Sequence, residues 1–216
     1  MAMTRGKFIT FEGPEGSGKT TQARRLMARL TEMGHEVLYT REPGGTATGE
    51  LIREILQHDK AGEPLCAESE LFLFAASRAQ LVRNVIIPAL ERGAFVICDR
   101  FADSTTAYQG YGRGFPIEQM IAINSLAIDG AVPDVTLLLD VTVQLGFERL
   151  ASRQKELFQT PDRMEREERD FHERVRSGYL ELAKRWPDRF QIIDASRDGA
   201  AVEADVWRIV QHVIDR

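Results

Sequence analysis

The feature that most constrains this chain is a glycine-rich stretch near its N-terminus, between an apolar run and a helical pattern. Gly13-x4-Gly18-Lys19-Thr20 fits the phosphate-binding pattern G-x-x-x-x-G-K-[ST]. The apolar run from Phe8 to Phe11 before it is typical of a buried strand, and a helical repeat of apolar residues follows it as far as Gly34. The order strand, loop, helix favours a phosphate-binding loop over a chance glycine-rich turn.

The residue types in this loop explain its chemistry. Glycines let the backbone curl so that several N–H groups point at one phosphate, and the helix that follows directs its positive dipole end at the same place. Lys19 is expected to reach the β- and γ-phosphates, and the Thr20 hydroxyl to hold Mg²⁺. The residues expected to bind the phosphates are Gly13, Pro14, Glu15, Gly16, Ser17, Gly18, Lys19, Thr20 and Thr21.

Length and composition are those of one globular domain, which we expect to span residues 1–216. The formal net charge of -5 argues against non-specific nucleic-acid binding. Two cysteines, Cys66 and Cys98, are too few for a disulfide framework and predict reduced thiols in the cytoplasm. No apolar run is as long as a membrane span. From the net charge and from these short runs, neither nucleic acid nor a membrane is an expected partner.

Short apolar runs alternate with helical patterns along the whole chain. The runs are Phe8–Phe11, Val37–Tyr39, Phe95–Cys98, Val135–Leu139 and Phe190–Ile193. This alternation predicts an α/β fold of three layers, in which helices cover both faces of a parallel five-stranded sheet. Helices are expected over residues 67–92, 116–130 and 163–184. Ligands of such sheets bind at the carboxyl ends of the strands.

Charged side chains follow the second and third apolar runs at those carboxyl ends. Arg41 begins a loop that contains Pro43 and two glycines, and it belongs either to the site or to an ordinary charged loop. Asp99 is placed to organise Mg²⁺, directly or through water, and Arg100 to grip a phosphate, although the two could instead form a capping ion pair. The polar residues 104–110 then suit the edge of a base or a sugar.

Two further segments carry candidate site residues. Phe74 and Arg78 are four apart in a helical pattern and share a face, where they could hold a planar base or, alternatively, place an aromatic in the core beside a surface arginine. The polar stretch at about residues 149–161 lacks a clear pattern. It predicts a mobile lid, the alternative being the solvated end of a helix.

The reaction class follows from what surrounds the loop. The Asn-Lys-x-Asp motif that many GTPases use to read guanine is absent, and no strand-end Asp is followed by Glu, as a water-activating ATPase would prefer. Arginines occur in several candidate segments, namely Arg41, Arg78, Arg100, Arg149 and Arg153. So many guanidiniums indicate two phosphorylated substrates and transfer of a phosphoryl group between them. An acceptor phosphate is largely ionised at neutral pH, so the transfer requires no general base.

Four segments together resemble the bacterial thymidylate kinase family. They are residues 11–22, residues 40–46, residues 99–109 and residues 162–179. The resemblance extends over about residues 7 to 195, and its second and third segments are far more specific than the phosphate loop. It implies transfer of the γ-phosphate of ATP to dTMP, with Mg²⁺, by a homodimer that serves dTTP biosynthesis.

The resemblance also implies roles for individual residues. On the dTMP side, Phe74 would stack on thymine, Arg78 would read its O4, and Thr105 and Gln109 would border the base. Glu15 would contact the 3′-hydroxyl of the sugar, and Tyr108 would crowd the 2′ position. Arg41 and Arg100 would hold the phosphate. The catalytic residues would be Lys19, Arg100, Arg149 and Arg153. Some family members carry a basic residue in the loop where this chain has Gly16, and members without it place arginines in the lid. Arg153, supported by Arg149, is therefore expected to stabilise the transferring charge.

Two rival interpretations stay open at this stage. The chain could phosphorylate another nucleoside monophosphate, with Phe74, Arg78 and Tyr108 reading a different base. It could also be a regulatory or scaffold protein that binds ATP without an acceptor, and the arginines opposite the loop argue against that alternative.

Overall fold

All five predicted strands form one parallel sheet. The computed structural model describes residues 5–58, 63–157 and 160–215, with only the backbone of residues 156 and 157. The strands are β1 (Phe8–Glu12), β2 (Val37–Arg41), β3 (Phe95–Asp99), β4 (Val135–Asp140) and β5 (Phe190–Asp194). Their order in the sheet is β2-β3-β1-β4-β5, and every neighbouring pair is parallel. The predicted α/β fold is confirmed.

Helices connect the strands and cover both faces of the sheet. They are α1 (Lys19–Glu32), α2 (Ala47–Gln57), α3 (Ala67–Leu81), α4 (Ile87–Glu91), α5 (Ala102–Thr105), α6 (Ile117–Ile128), α7 (Val143–Leu157), α8 (Arg169–Arg185) and α9 (Gly199–Ile214). A π-helical segment, Val82–Ile86, joins α3 to α4, and a second one, Thr106–Gly112, continues α5. Within the described residues, no helix combines the length and the apolar character that crossing a membrane requires.

The core explains why the strands are almost wholly apolar. Ile9 and Phe11 of β1 point to one face, where α1 and α9 pack, while Phe8 points to the other face, beside α3, α4 and the π-helical segment between them. A central strand of a parallel sheet is buried on both faces, so alternation of polar and apolar residues is lost. The phosphate loop leaves β1 between these two layers, at the carboxyl edge of the sheet.

One predicted helix differs from the observed one. The helix expected from residue 163 begins only at Arg169. Asp162 and Arg163 are bonded to other groups: the Arg163 N–H donates to the Gln57 carbonyl, and Asp162 Oδ1 accepts from the Glu165 N–H at 2.8 Å. Such side-chain and long-range bonds compete with helix formation.

The predicted lid begins within a helix. Residues Arg149 to Leu157 are the C-terminal half of α7, which agrees with the alternative of a solvated helix end for this part of the lid. Residues 158 and 159 lie outside the described part of the lid. The sequence in this half is polar because the helix is largely exposed there.

Candidate active site

A cavity of about 390 Å³ opens at the carboxyl edge of the sheet, between the phosphate loop and the elements opposite it. Most of the residues that the sequence predicts for the site line this cavity: Glu15, Gly16, Gly18, Lys19, Thr20, Thr21, Arg41, Phe74, Asp99, Arg100, Thr105, Tyr108, Gln109 and Arg153. Of the other predicted residues, Gly13, Pro14 and Ser17 lie in the loop, while Arg78 and Arg149 point elsewhere. Segments that are distant in sequence thus meet in one space large enough for small-molecule ligands.

The phosphate loop wraps around its own lysine. The Lys19 ammonium is buried and donates hydrogen bonds to the carbonyls of Gly13 at 2.9 Å and Pro14 at 2.7 Å, with Ser17 Oγ at 3.3 Å. Burial, together with the positive charge of Arg100, lowers the pKa of Lys19 to about 8. A phosphate brought to this place would favour the charged form of the amine.

Thr20 and Asp99 meet where α1 begins and β3 ends. The Thr20 hydroxyl donates to Asp99 Oδ2 at 2.5 Å. Hydroxyl and carboxylate oxygens are ligands that Mg²⁺ accepts, and Mg²⁺ usually completes its shell with waters and substrate phosphates. The described residues contain no group of three or more His, Cys, Asp or Glu side chains suited to a metal. The two oxygens of the pair fit a Mg²⁺ ion whose remaining ligands are waters and substrate phosphates.

Arg100 is the centre of the charged side of the cavity. Its Nη2 donates to Glu15 Oε1 at 2.6 Å, and its Nη1 donates to the Gly13 carbonyl at 3.2 Å. The guanidinium also lies 5.0 Å from the centre of the Tyr108 ring, and the Tyr108 hydroxyl donates to Glu15 Oε1 at 2.7 Å. Burial alone would raise the pKa of Glu15, but the charges of Arg100 and Lys19 and the Tyr108 hydrogen bond outweigh it and lower the pKa to about 2.

An aromatic ring and polar groups line the opposite wall. Phe74 is half-buried there, and Thr105 and Gln109 beside it are buried. The Gln109 amide donates to Glu70 Oε1 at 2.8 Å, which fixes the side chain. Among the described residues, the buried Thr105 hydroxyl has no hydrogen-bond partner. Because an unsatisfied buried hydroxyl is costly, this wall is suited to a ligand with polar groups on its edge.

Arg78 lies outside the cavity lining. It is buried, and its Nε and Nη2 both donate to Glu42 Oε2, at 2.9 and 2.5 Å, while Nη1 donates to Asn124 Oδ1 at 2.7 Å. Burial raises the pKa of Glu42 in spite of this guanidinium. The sequence pattern placed Arg78 beside Phe74 correctly in the helix, but it gave no sign of these partners.

The two lid arginines point to different places. Arg153 lines the cavity, and its Nη2 lies 3.5 Å from Glu165 Oε1. Arg149 instead donates to the carbonyls of Ala195 at 2.8 Å and Ser196 at 3.2 Å, just beyond β5. Of the pair, the structure brings only Arg153 to the cavity.

Arg53 is a site residue that the sequence reasoning missed. It lines the cavity from α2 and donates to the Pro43 carbonyl at 2.9 Å. Burial and the neighbouring charge of Arg41 lower its pKa. Two arginines close enough to disfavour each other mark a place for an anion. The available signal was its position: Arg53 is three residues after Glu50, the ion-pair partner of Arg41 at 2.9 Å.

Comparison with known proteins gives one consistent answer. The sequence profile of the family described as thymidylate kinase matches residues 11–206. A thymidylate kinase of Pelotomaculum thermopropionicum is 51% identical over 211 residues, which cover 98% of this chain and 95% of that protein. The Deinococcus radiodurans thymidylate kinase is 49% identical over 209 residues, covering 96% and 98%. A crystal structure of thymidylate kinase from Ehrlichia chaffeensis has a TM-score of 0.75 at 36% identity, covering 95% of this chain and 99% of that one.

Proposed function

The chain belongs to the thymidylate kinase family, and we propose that the cavity is divided between a donor side on the phosphate loop and an acceptor side opposite it. The enzyme phosphorylates dTMP to dTDP with the γ-phosphate of ATP, a step in dTTP biosynthesis. The observation that carries the proposed division is that one cavity is lined by the loop on one side and by Phe74, Thr105 and Gln109 on the other.

On the donor side, ATP binds with its phosphates in the loop of residues 13–21. The backbone N–H groups and the start of α1 cradle the phosphates, and Lys19 moves its ammonium from the loop carbonyls to the β- and γ-phosphates. Thr20 and Asp99 would hold Mg²⁺, which neutralises phosphate charge when it is bound. The short bond between these two residues supports the assignment.

On the acceptor side, dTMP lies with its base against Phe74. Thr105 and Gln109 border the base, Glu15 receives the sugar 3′-hydroxyl, and Tyr108 closes the 2′ position. The acceptor phosphate is held by guanidiniums, for which we propose Arg41, Arg53 and Arg100. Arg78 serves this side indirectly, because it fixes Glu42, which lines the cavity. A stacked base and a clamped phosphate orient the acceptor for in-line attack without a general base.

The lid covers the junction of the two sides. We assign charge stabilisation during transfer to Arg153, because it reaches the cavity from α7. Arg149 supports it by tying the same helix to the chain beyond β5. In this proposal residues 149–161 close over ATP and exclude water, within a single kinase domain.

The experiment that tests the assignment is ADP formation from ATP and Mg²⁺ with dTMP, dUMP, CMP, GMP and AMP in turn. Rapid turnover with dTMP and slow turnover with CMP, GMP and AMP supports the acceptor side as described. Turnover with another monophosphate would keep the donor side and refute the base pocket, and ATP binding without turnover would indicate a regulatory protein.

The proposal also includes a homodimer in the cytoplasm, with neither nucleic acid nor membrane as partner. Large apolar side chains are exposed on α2, α3 and α6, as a subunit interface requires. Both cysteines are free, in agreement with a reducing compartment.

A further inference from the structure

Glu12, the last residue of β1, is fully buried and does not line the cavity. Its carboxylate nevertheless gathers four hydrogen bonds. Oε1 accepts from the backbone N–H groups of Phe101 at 2.8 Å and Ser104 at 3.3 Å. Oε2 accepts from the hydroxyls of Ser104 at 2.6 Å and Tyr179 at 2.9 Å. One carboxylate of the central strand therefore ties together the chain that follows β3 and helix α8.

The two backbone N–H groups belong to the start of α5. This helix and the π-helical segment that continues it carry Thr105, Tyr108 and Gln109. The Phe101 N–H, at the N-cap position, donates to Glu12, while the Ser104 N–H is shared between Glu12 and the Phe101 carbonyl at 3.0 Å. Phe101 has no side chain able to cap the helix, so Glu12 takes that place from a neighbouring strand, and its negative charge suits the positive end of the helix.

The two hydroxyls connect Glu12 to Arg100. The Arg100 Nη1 donates to Tyr179 at 3.2 Å and to Ser104 at 3.4 Å, and the two hydroxyl oxygens lie 2.8 Å apart. A hydroxyl has one proton, so a hydroxyl that donates to Glu12 turns its lone pairs towards the guanidinium. Arg100 also has a left-handed backbone with φ of 68°, which is unfavourable without glycine. The bond from the next N–H, that of Phe101, to Glu12 holds this conformation.

We propose that Glu12 is a positioning residue for phosphoryl transfer: it holds Arg100 and the helix of Thr105, Tyr108 and Gln109 against the cavity without contacting either substrate. This inference rests on the proposed role of Arg100 at the dTMP phosphate. Burial, and then the charge of Asp103, raise the pKa of Glu12 to about 7, against the hydrogen bonds from Ser104 and Phe101 and the charge of Arg100, which favour the carboxylate.

The test is the Glu12→Gln variant, with initial rates measured against dTMP at saturating ATP and against ATP at saturating dTMP. The amide NH₂ of glutamine donates where Glu12 accepts, so the two hydroxyls must turn their protons towards Arg100. We expect kcat/KM for dTMP to fall on the order of 10- to 100-fold, as for a misplaced substrate clamp, and KM for ATP to stay the same. A KM for ATP that rises as much as KM for dTMP, or an unchanged kcat/KM for dTMP, would overturn the inference.

The matched control is Asp103→Asn. Asp103 is also a buried carboxylate of α5, but it pairs with Arg189, at 2.6 and 2.9 Å, and with none of the groups that contact Arg100. Its charge raises the pKa of Glu12, so replacing it with Asn favours the ionised Glu12 carboxylate and does not mimic Glu12→Gln. This variant should lower the melting temperature and leave KM for dTMP unchanged. If it raises KM for dTMP as much as Glu12→Gln does, general loosening of the helix explains both and the inference fails.

A second variant keeps the inference testable if Glu12→Gln does not fold. The double variant Ser104→Ala with Tyr179→Phe removes the hydroxyls and keeps Glu12. It should lower kcat/KM for dTMP as Glu12→Gln does and leave KM for ATP unchanged. An unchanged KM for dTMP in that variant refutes the connection to Arg100. The Arg100→Lys variant separates this result from failure of the proposed function. If KM for dTMP is unchanged in Arg100→Lys, the proposed role of Arg100 is wrong. If KM for dTMP rises in Arg100→Lys but not in Glu12→Gln, only the inference about Glu12 is refuted.

Discussion

Gly16 explains why this chain has no basic residue at the place where some family members carry one. Its φ is 68°, and a Cβ added there would lie 2.1 Å from the carbonyl oxygen of Gly146, in α7. The clash is with backbone, so no rotation of a side chain relieves it. The phosphate loop and α7 therefore touch through two glycines, and in the proposed function the charge that stabilises transfer comes from Arg153 of α7.

We expect Gly16→Ala to weaken ATP binding and to lower the free energy of unfolding by about 1–3 kcal/mol, the range for a strained backbone. ATP titration and thermal melting measure the two effects. The control is Gly34→Ala, which has a similar φ of 87° but open space around the added Cβ; it should lose stability only. ATP affinity like that of the unmodified enzyme in Gly16→Ala would contradict the contact with α7.

Glu15 makes a second prediction at the residue scale, because its pKa is lowered from 4.5 to about 2. A group with a lowered pKa stabilises the fold above its unfolded pKa and loses that contribution as pH falls towards the folded value. This lowering of the Glu15 pKa from 4.5 to about 2 corresponds to about 3 kcal/mol. Glu15→Gln should therefore lose stability most above pH 5, and the difference from the unmodified enzyme should shrink as pH falls from 4.5 towards 2. Urea unfolding at pH 7, 5, 4 and 3 measures it, and a difference independent of pH would show that the ion pair with Arg100 contributes nothing.

Helix α7 carries two arginines whose different contacts predict different phenotypes. Arg153→Ala should lower kcat by about 10³-fold, as loss of an arginine at a transferring phosphoryl group does, with KM for dTMP nearly unchanged. Arg149→Ala removes hydrogen bonds to Ala195 and Ser196, so it should lower kcat less and affect the melting temperature more. Steady-state kinetics of the two variants side by side decides between them. A larger loss of kcat in Arg149→Ala would reverse the assignment.

The elements differ in how far sequence could predict them. The three inner strands, β1, β3 and β4, were predictable because a strand buried on both faces is a continuous apolar run. The edge strands β2 and β5 are only partly buried, and they were predictable from short apolar runs beside turn residues. The start of α8 was not, because the bond from Arg163 N–H to Gln57 joins residues 106 positions apart, and no local pattern contains it. The same holds in the site. Residues placed by a strand end, such as Asp99 and Arg100, were predictable at the cavity, whereas Arg53 and the partners of Arg78 depend on how α2, α3 and α6 pack.

At the scale of the whole molecule, exposed apolar side chains occur on three helices, α2, α3 and α6. Leu51 and Ile55 share a face of α2, and Phe72 on α3 and Leu126 on α6 are 60% and 79% exposed. Helix α3 packs against both α2 and α6, so these side chains belong to three adjacent helices. Apolar surface of this kind gains about 25 cal/mol per Å² when a second copy covers it. We therefore expect the 24.4 kDa chain to sediment as a dimer.

Leu126→Glu tests that expectation, because a carboxylate buried between two subunits without a partner destabilises the interface. Sedimentation velocity at micromolar concentrations should show this variant as a monomer with the fold of the unmodified chain by circular dichroism. Met33→Glu is the control, since Met33 is 52% exposed but lies at the end of α1, and it should leave the dimer intact. An unmodified chain that stays monomeric at every concentration, or a Met33→Glu variant that dissociates as readily, would refute an interface on α2, α3 and α6. Helix α3 also carries Phe74, and α2 carries Arg53. The monomeric Leu126→Glu enzyme should therefore have a lower affinity for dTMP than the dimer has, and its affinity for ATP should fall less.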